Sequence, residues 1–377
     1  MTGRLRVTPR GFAGPTVRFG VPFAALIVAL MIGAILLAVS GSDPVEAYRT
    51  MFNASLNGWN PLTRTLALAT PLILTGLAAA VAFQMRVYNI GGEGQLYMGA
   101  IAASWVGLFL PADTPMALML ASMVAVGAVA GAAWAMFAAI PKALFNADEI
   151  ITTLMLNFVA LSLMNYLIFG SQSFWRDPQR TVPGGKRLPD SAIMPELSGR
   201  LHFGFVIAIV CAVGLWWVLR RTTWGFEIRT IGDSPTSARY AGMSVRLKTI
   251  TVLGISGALA AIAGVSEVSG VSKGLEPNSL ATDIGFTGII VAVVARSNPL
   301  GVVPVATFLA AIATSGSRLQ GIGIEVEVVF LLQGLIFLTV TAGEFFVTNK
   351  VDLVSADAVE PSNDTTGTPN AEMAGAT

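Results

Sequence analysis

Long apolar runs, separated by short polar breaks, recur along almost the whole chain. They fall near residues 21–40, 63–84, 95–110, 117–140, 150–169, 202–219, 249–270, 284–295, 300–315 and 326–346. A run of about 20 apolar residues is the length of a membrane-crossing helix, so the pattern predicts an all-α polytopic membrane protein with about ten transmembrane helices. The run at 284–295 is too short for a full crossing and is expected to be re-entrant or to continue part of the preceding loop. The polar stretches at 41–62 and 171–201 read as loops on one side, and 221–248 as the largest loop on the other. The expected organisation is a cytoplasmic segment 1–20, a transmembrane domain 21–346 and a disordered cytoplasmic tail 347–377. From residue 353 the tail is Ser, Asp, Thr, Pro, Asn, Gly and Ala, which cannot bury a core, so it is expected to be disordered.

Composition agrees with the pattern. Hydrophobic residues make up 54% of the 377, and charged residues only 12%, against about 25% charged in a soluble domain. A net charge of +1, with dispersed basic residues, gives no argument for nucleic acid. The single Cys211 excludes an intrachain disulfide and a cysteine metal site. His202 is the only histidine, so neither a Ser-His-Asp relay nor a histidine zinc site is assembled, and no catalytic or metal site is expected. One side collects Arg4, Arg6, Arg10, Arg18, Arg86, Lys142, Arg220, Arg221, Arg229, Arg239, Arg246, Lys248, Arg296 and Lys350. That excess marks it as cytoplasmic, with both termini inside.

Polar groups inside the apolar runs carry the candidate chemistry. In Asn89-Ile-Gly-Gly-Glu-Gly-Gln95 a carboxylate and two amides sit among glycines at membrane depth. An intramembrane acid costs roughly 2.5–3.5 kcal/mol and by default marks a functional route. Asn89, Glu93 and Gln95 are therefore candidate pathway residues, although Asn89 also suits a helix cap and Glu93 a first-turn charge. In Glu149-Ile-Ile-Thr-Thr-Leu-Met-Leu-Asn157 the residues Glu149, Thr152, Thr153 and Asn157 share one helical face. That stripe either lines a pore or bonds a neighbouring helix. In the loop at 221–248, Ser234 is placed to cap a short helix with Pro235 at its first position and Gly242 at its end. That helix is either a surface connector or a plug for a cytoplasmic partner. A faint echo links Arg86-Val-Tyr-Asn-Ile-Gly91 to Arg296-Ser-Asn-Pro-Leu-Gly301.

The motifs at Asn89–Gln95 and Glu149–Asn157 occur in order with Ile231-Gly-Asp-Ser-Pro-x-x-Ala-Arg-Tyr-Ala-Gly242 and with Gly285-Phe-Thr-Gly-Ile…Asn298-Pro-Leu-Gly301. Together they resemble the permease subunits of bacterial ABC importers for branched-chain amino acids, simple sugars and nucleosides, over about residues 63–346. The Asn-Ile-Gly-x-Glu-Gly-Gln form is similar to the nucleoside-uptake branch, while Gly92 departs from the usual Val or Leu. The resemblance implies a transport subunit in the bacterial inner membrane with no ATPase site of its own. It also implies a cytoplasmic ATP-binding cassette ATPase that uses ATP and Mg, a second, shorter permease, and an extracytoplasmic substrate-binding lipoprotein. The ATPase would engage Gly232, Asp233, Ser234, Pro235, Ala238, Arg239, Tyr240, Ala241 and Gly242. A simple-sugar permease and an ion-coupled secondary transporter remain as alternatives, the latter resting on Glu93 and Glu267.

Overall fold

The computed structural model describes residues 4–9, 15–170 and 172–354. In chain order the elements are β1 (Arg4–Pro9), α1 (Pro15–Val39), α2 (Pro44–Ser55), α3 (Trp59–Gln84), α4 (Gly92–Phe109), α5 (Met116–Phe145) and α6 (Glu149–Asn165), which runs into a π-turn at Tyr166–Gly170. Then come β2 (Glu196–Ser198), β3 (Leu201–His202), α7 (Gly204–Arg221), α8 (Thr223–Asp233), α9 (Pro235–Tyr240) and α10 (Val245–Ser266), followed by a second π-turn at Glu267–Ser272. The chain closes with α11 (Pro277–Leu280), α12 (Ile284–Val294), α13 (Pro299–Gln320), α14 (Val326–Thr348) and β4 (Asn349–Val354).

Each of the ten expected spans falls on a helix, but fewer helices meet a length-and-apolarity criterion. Among the described residues seven are long and apolar enough to cross a membrane, or up to eight if the bent pair Phe23–Val39 and Pro44–Ser55 counts as one. The expected loop at 41–62 is largely helical, because Asp43 caps α2 through the Val45 amide and Pro44 sits at its first position. The short run at 284–295 is the eleven-residue α12, preceded by the single turn α11.

The described residues fall in two compact units, Met1–Val28 with Thr339–Thr377, and Ala29–Leu338. In the first, β1 pairs antiparallel with β4, Arg4 opposite Val354 and Pro9 opposite Asn349. The tail expected to lack structure from 347 is therefore strand over 349–354, and its remainder, 355–377, lies outside the described residues.

In the second unit α3 and α10 are the central helices; α3 is buried over almost every residue from Thr63 to Ala82. Small residues let backbones meet there. A Cβ on Gly257 would lie 2.5 Å from the Gly131 carbonyl of α5, and one on Gly264 would lie 2.0 Å from the Leu96 carbonyl of α4. At the start of α7, His202 is fully buried against Gly204 and Gly270, whose added Cβ atoms would each fall 2.7 Å from its ring. Its Nδ1 accepts from the Gly204 amide at 3.2 Å, which puts the proton of the neutral ring on Nε2.

Burial pushes the His202 imidazole down to about 4 from an ordinary value of 6.5, against a smaller upward pull from Glu196. A depressed histidine contributes stability above the unfolded value, and that stability is lost as pH falls through the folded one. The full effect is roughly 3 kcal/mol. Thermal unfolding in detergent should therefore show stability falling between pH 6.5 and pH 4, and His202→Gln should flatten that slope.

Candidate functional site

The break between α3 and α4 organises the site. Arg86 ends α3 in the left-handed region (φ 55°), and the chain turns back beside the helix it has left. Asn89 Nδ2 donates to Ser256 Oγ of α10 at 2.7 Å, and that hydroxyl donates to the Ala78 carbonyl at 2.6 Å. Ala78 lies six residues before Gln84, about 9 Å along the axis. The turn therefore re-enters the bundle, and α4 begins well inside it.

A helix that starts inside a bundle leaves its first amides without helical partners and without bulk water. Side chains supply what is missing. Asn89 Oδ1 accepts from the Gly91 amide at 2.9 Å and from Gln95 Nε2 at 3.1 Å, while Gln95 Oε1 accepts from Asn89 Nδ2 at 2.9 Å. From α6, Thr153 Oγ1 accepts from the Ile90 amide at 3.2 Å. Asn157 Oδ1 accepts from the Gly94 amide at 2.8 Å, and its Nδ2 donates to the Ile90 carbonyl at 2.9 Å. Glu149 Oε1 accepts from the Tyr88 amide at 3.4 Å while Oε2 pairs with Lys142 at 2.7 Å.

Of the two readings of the α6 stripe, this conformation therefore displays helix-to-helix bonding. Glu149, Thr153 and Asn157 are buried and face the turn. Thr152 does not join them: it is half-buried and bonds back to the Asp148 carbonyl at 2.7 Å. At about 100° per residue it lies a little over a quarter of a turn round from Thr153's inner side.

Glu93 stands where two helices begin. It is in the first turn of α4, and its Oε1 accepts from the Tyr97 hydroxyl at 2.6 Å. Its Oε2 accepts from the amide of Gly285, in the first turn of α12. Both helix ends present positive dipole to the carboxylate, which offsets its burial. The approach leaves no room for a side chain: a Cβ on Gly285 would lie 2.3 Å from the Glu93 nitrogen. Sequence reading missed Tyr97 and Ser256. Tyr97 was signalled by its i+4 spacing from Glu93, and Ser256 by being a hydroxyl inside an apolar run.

At the Gln84 end of the bundle a cleft of about 990 Å³ opens between this turn, the ends of α5 and α6, and the α8–α10 loop. Ser234 caps α9 through the Ser237 amide at 3.3 Å, Pro235 occupies its first position, and Gly242 follows with φ 79°. Asp233, Pro235, Ser237, Arg239, Tyr240, Ala241 and Gly242 are exposed, Tyr240 to 90%, and Ser234 is half-buried. Two expected docking residues are turned inward instead. Ala238 is fully buried within its own chain, and Gly232 packs on α3, where a Cβ would lie 2.5 Å from the Gln84 carbonyl. Asp233 forms an exposed ion pair with Arg86 at 3.5 Å. The loop that ends α8 therefore leans on the turn that carries the polar cluster.

The two glycines at the helix junction make a direct test. Gly285→Ala should lower the thermal stability of the detergent-solubilised protein by about 1–3 kcal/mol or more, because backbone must move. Gly92→Ala should be nearly neutral, since its Cβ would meet nothing nearer than the Gly285 carbonyl at 3.7 Å. Equal effects would refute the packing argument.

Comparison with known proteins agrees over most of the chain. The sequence profile of the family described as "Branched-chain amino acid transport system / permease component" matches residues 62–341. A guanosine ABC transporter permease of Bacillus subtilis is 34% identical, over 85% of this chain and 92% of its own. A nucleoside ABC transporter permease of Lactococcus lactis is 31% identical over 92% and 96%. A glucose ABC transporter permease of Haloferax volcanii is 32% identical over 94% and 95%.

Proposed function

Because the chain belongs to the branched-chain amino acid transport system permease component family, we propose that it is the membrane subunit of an ATP-driven importer whose cargo is a nucleoside. The observation that carries the cargo assignment is the buried cluster of Asn89, Gln95, Thr153 and Asn157, together with the likeness to guanosine and nucleoside permeases. Such a cluster suits an uncharged molecule rich in hydrogen-bonding groups. The likeness to a glucose permease supports a second reading, a simple sugar, which shares that chemistry. The ion-coupled alternative rested on Glu93 and Glu267; of these, Glu93 has both oxygens engaged in holding α4 and α12, and Glu267 is buried at the end of α10.

In this reading the Gln84 end of the bundle is cytoplasmic, both termini are inside, and the membrane is the bacterial inner membrane. The exposed side of α9 meets a partner ATPase, which binds ATP and Mg. A second permease and an external binding lipoprotein complete the assembly. Radiolabelled uptake by the assembled complex, with guanosine, glucose and leucine in competition, tests the cargo. Guanosine should compete most strongly; full competition by glucose or leucine alone would overturn the assignment.

The pathway role of the cluster has its own test. A cysteine at Thr153, which is buried at rest, should resist aqueous maleimide in the idle complex and react during ATP turnover. Protection throughout turnover would leave Thr153 structural. Docking is tested by cysteines at Ser237 and Tyr240, which should cross-link to the ATPase, whereas one at Ala238 should not. Arg239→Ala should weaken ATPase association more at low salt than at high salt, because screening already reduces such contacts at high ionic strength.

A further inference from the structure

The segment between α10 and α12 has the parts of a hinged plug. It follows the π-turn at Glu267–Ser272, and it is bracketed by Lys273 and Asp283, both left-handed at φ 56° although neither is glycine. Such residues are strained, by about 1–3 kcal/mol each, and persist only where their surroundings hold them. Between them Leu275, Pro277 and Leu280 are buried, while Asn278, Ser279, Ala281 and Thr282 are exposed. The segment thus presents an apolar underside to the bundle and a polar face away from it.

Two sets of contacts hold it in place. On one side the long loop after α6 is laced to it. The Leu188 amide donates to the Lys273 carbonyl at 2.9 Å, Arg187 bridges Gly274 in antiparallel fashion, and Arg180 pairs with Glu276. Gly185 lies so close that a Cβ would fall 2.3 Å from the Leu275 carbonyl. On the other side α12 begins on the Glu93 carboxylate, with the Thr75 hydroxyl 3.3 Å from the Ile284 carbonyl. Left-handed residues at both ends, an apolar underside and a part-exposed ionic tie set the segment apart as a discrete element between two helices.

α10 starts at the Gln84-end cleft, which Val245 and Thr249 line, so the segment after its other end lies towards the Trp59 side. We propose that residues 274–282 are a gate that swings on Lys273 and Asp283, closing the route on that side, with the loop around 180–188 as its latch. This rests on the transport reading above and adds to it the moving part and its fastening. Opening breaks the Arg180–Glu276 tie and the backbone bridge, and it exposes Leu275 and Leu280 to the route.

The test is a reversible lock in the assembled complex, in a Cys211→Ala parent. Antiparallel bridge partners lie about 4.5–5.5 Å apart at Cα, within disulfide range, so Arg187→Cys with Gly274→Cys should cross-link on oxidation. Because a Cβ at Gly274 would lie 2.8 Å from the Lys186 carbonyl, the reduced pair must first show uptake equal to the Gly274→Cys single variant. Nucleoside uptake should then fall at least tenfold and return on reduction. A fully cross-linked pair with undiminished uptake overturns the gate. The parent shows separately whether nucleoside is carried at all, so a failure of the transport reading appears there. A second measurement needs no cysteine and no cargo. Deuterium exchange at 274–282 should quicken during ATP turnover, and exchange that stays as slow as at rest also overturns the gate.

Discussion

The need to satisfy backbone amides where no water reaches them governs the rest of this structure. Two helices, α4 and α12, begin inside the bundle rather than at its surface. Every unbonded amide at such a start costs several kcal/mol in an apolar surround. The polar side chains in the apolar runs answer that requirement. Asn89 accepts from the Gly91 amide, Asn157 from the Gly94 amide in the first turn of α4, Thr153 from the Ile90 amide, and Glu93 reaches across to Gly285. Gly94 and Gly285 are glycines because the partner backbone or side chain occupies the space a Cβ would take.

That requirement explains which features were legible in the sequence. The helices follow from apolar run length, and their positions were readable within a few residues. The cap at Ser234, the proline after it and the glycine that follows α9 were readable because capping chemistry is local. The inward turn of Ala238 was not. Alanine suits a docking surface and a buried contact equally, and only the packing of α9 onto its own chain decides between them. The α6 stripe shows the same limit. Its polar side was visible from spacing, but which neighbour it faced depends on a long-range return of the chain, and Thr152 drops out because the buried arc is narrower than the stripe.

The echo between Arg86–Gly91 and Arg296–Gly301 has a structural counterpart. Both arginines are left-handed at a helix end, φ 55° and 52°. In both, an asparagine then accepts from an amide two residues on, Asn89 from Gly91 and Asn298 from Leu300. The two turns touch, since Gln84 Nε2 donates to the Ser297 carbonyl at 2.8 Å. The likeness is therefore one of local chemistry: a helix stopped by a left-handed residue and the next one started by an amide cap. Because Gly232 of α8 leans on the first turn, displacement of the α8–α9 loop bears on both.

A cluster in which each donor has an acceptor resists opening, because a bond broken without replacement leaves a buried group unsatisfied, at about 1–3 kcal/mol. Opening becomes accessible only if the released groups are taken up by something else. Water entering an opened route can do this, and so can a cargo that presents donors and acceptors around its rim. A nucleoside carries a hydroxylated ribose and a base with ring nitrogens and carbonyl or amino groups, so it can replace several of the broken bonds at once. A branched-chain amino acid offers only its ammonium and carboxylate, both charged, and its aliphatic side chain replaces none of the bonds. If the cluster lies on the proposed route, its amides and carboxylate would then favour the polar cargo over the apolar one at the moment of opening, which ties selectivity to the backbone constraint that shaped the cluster.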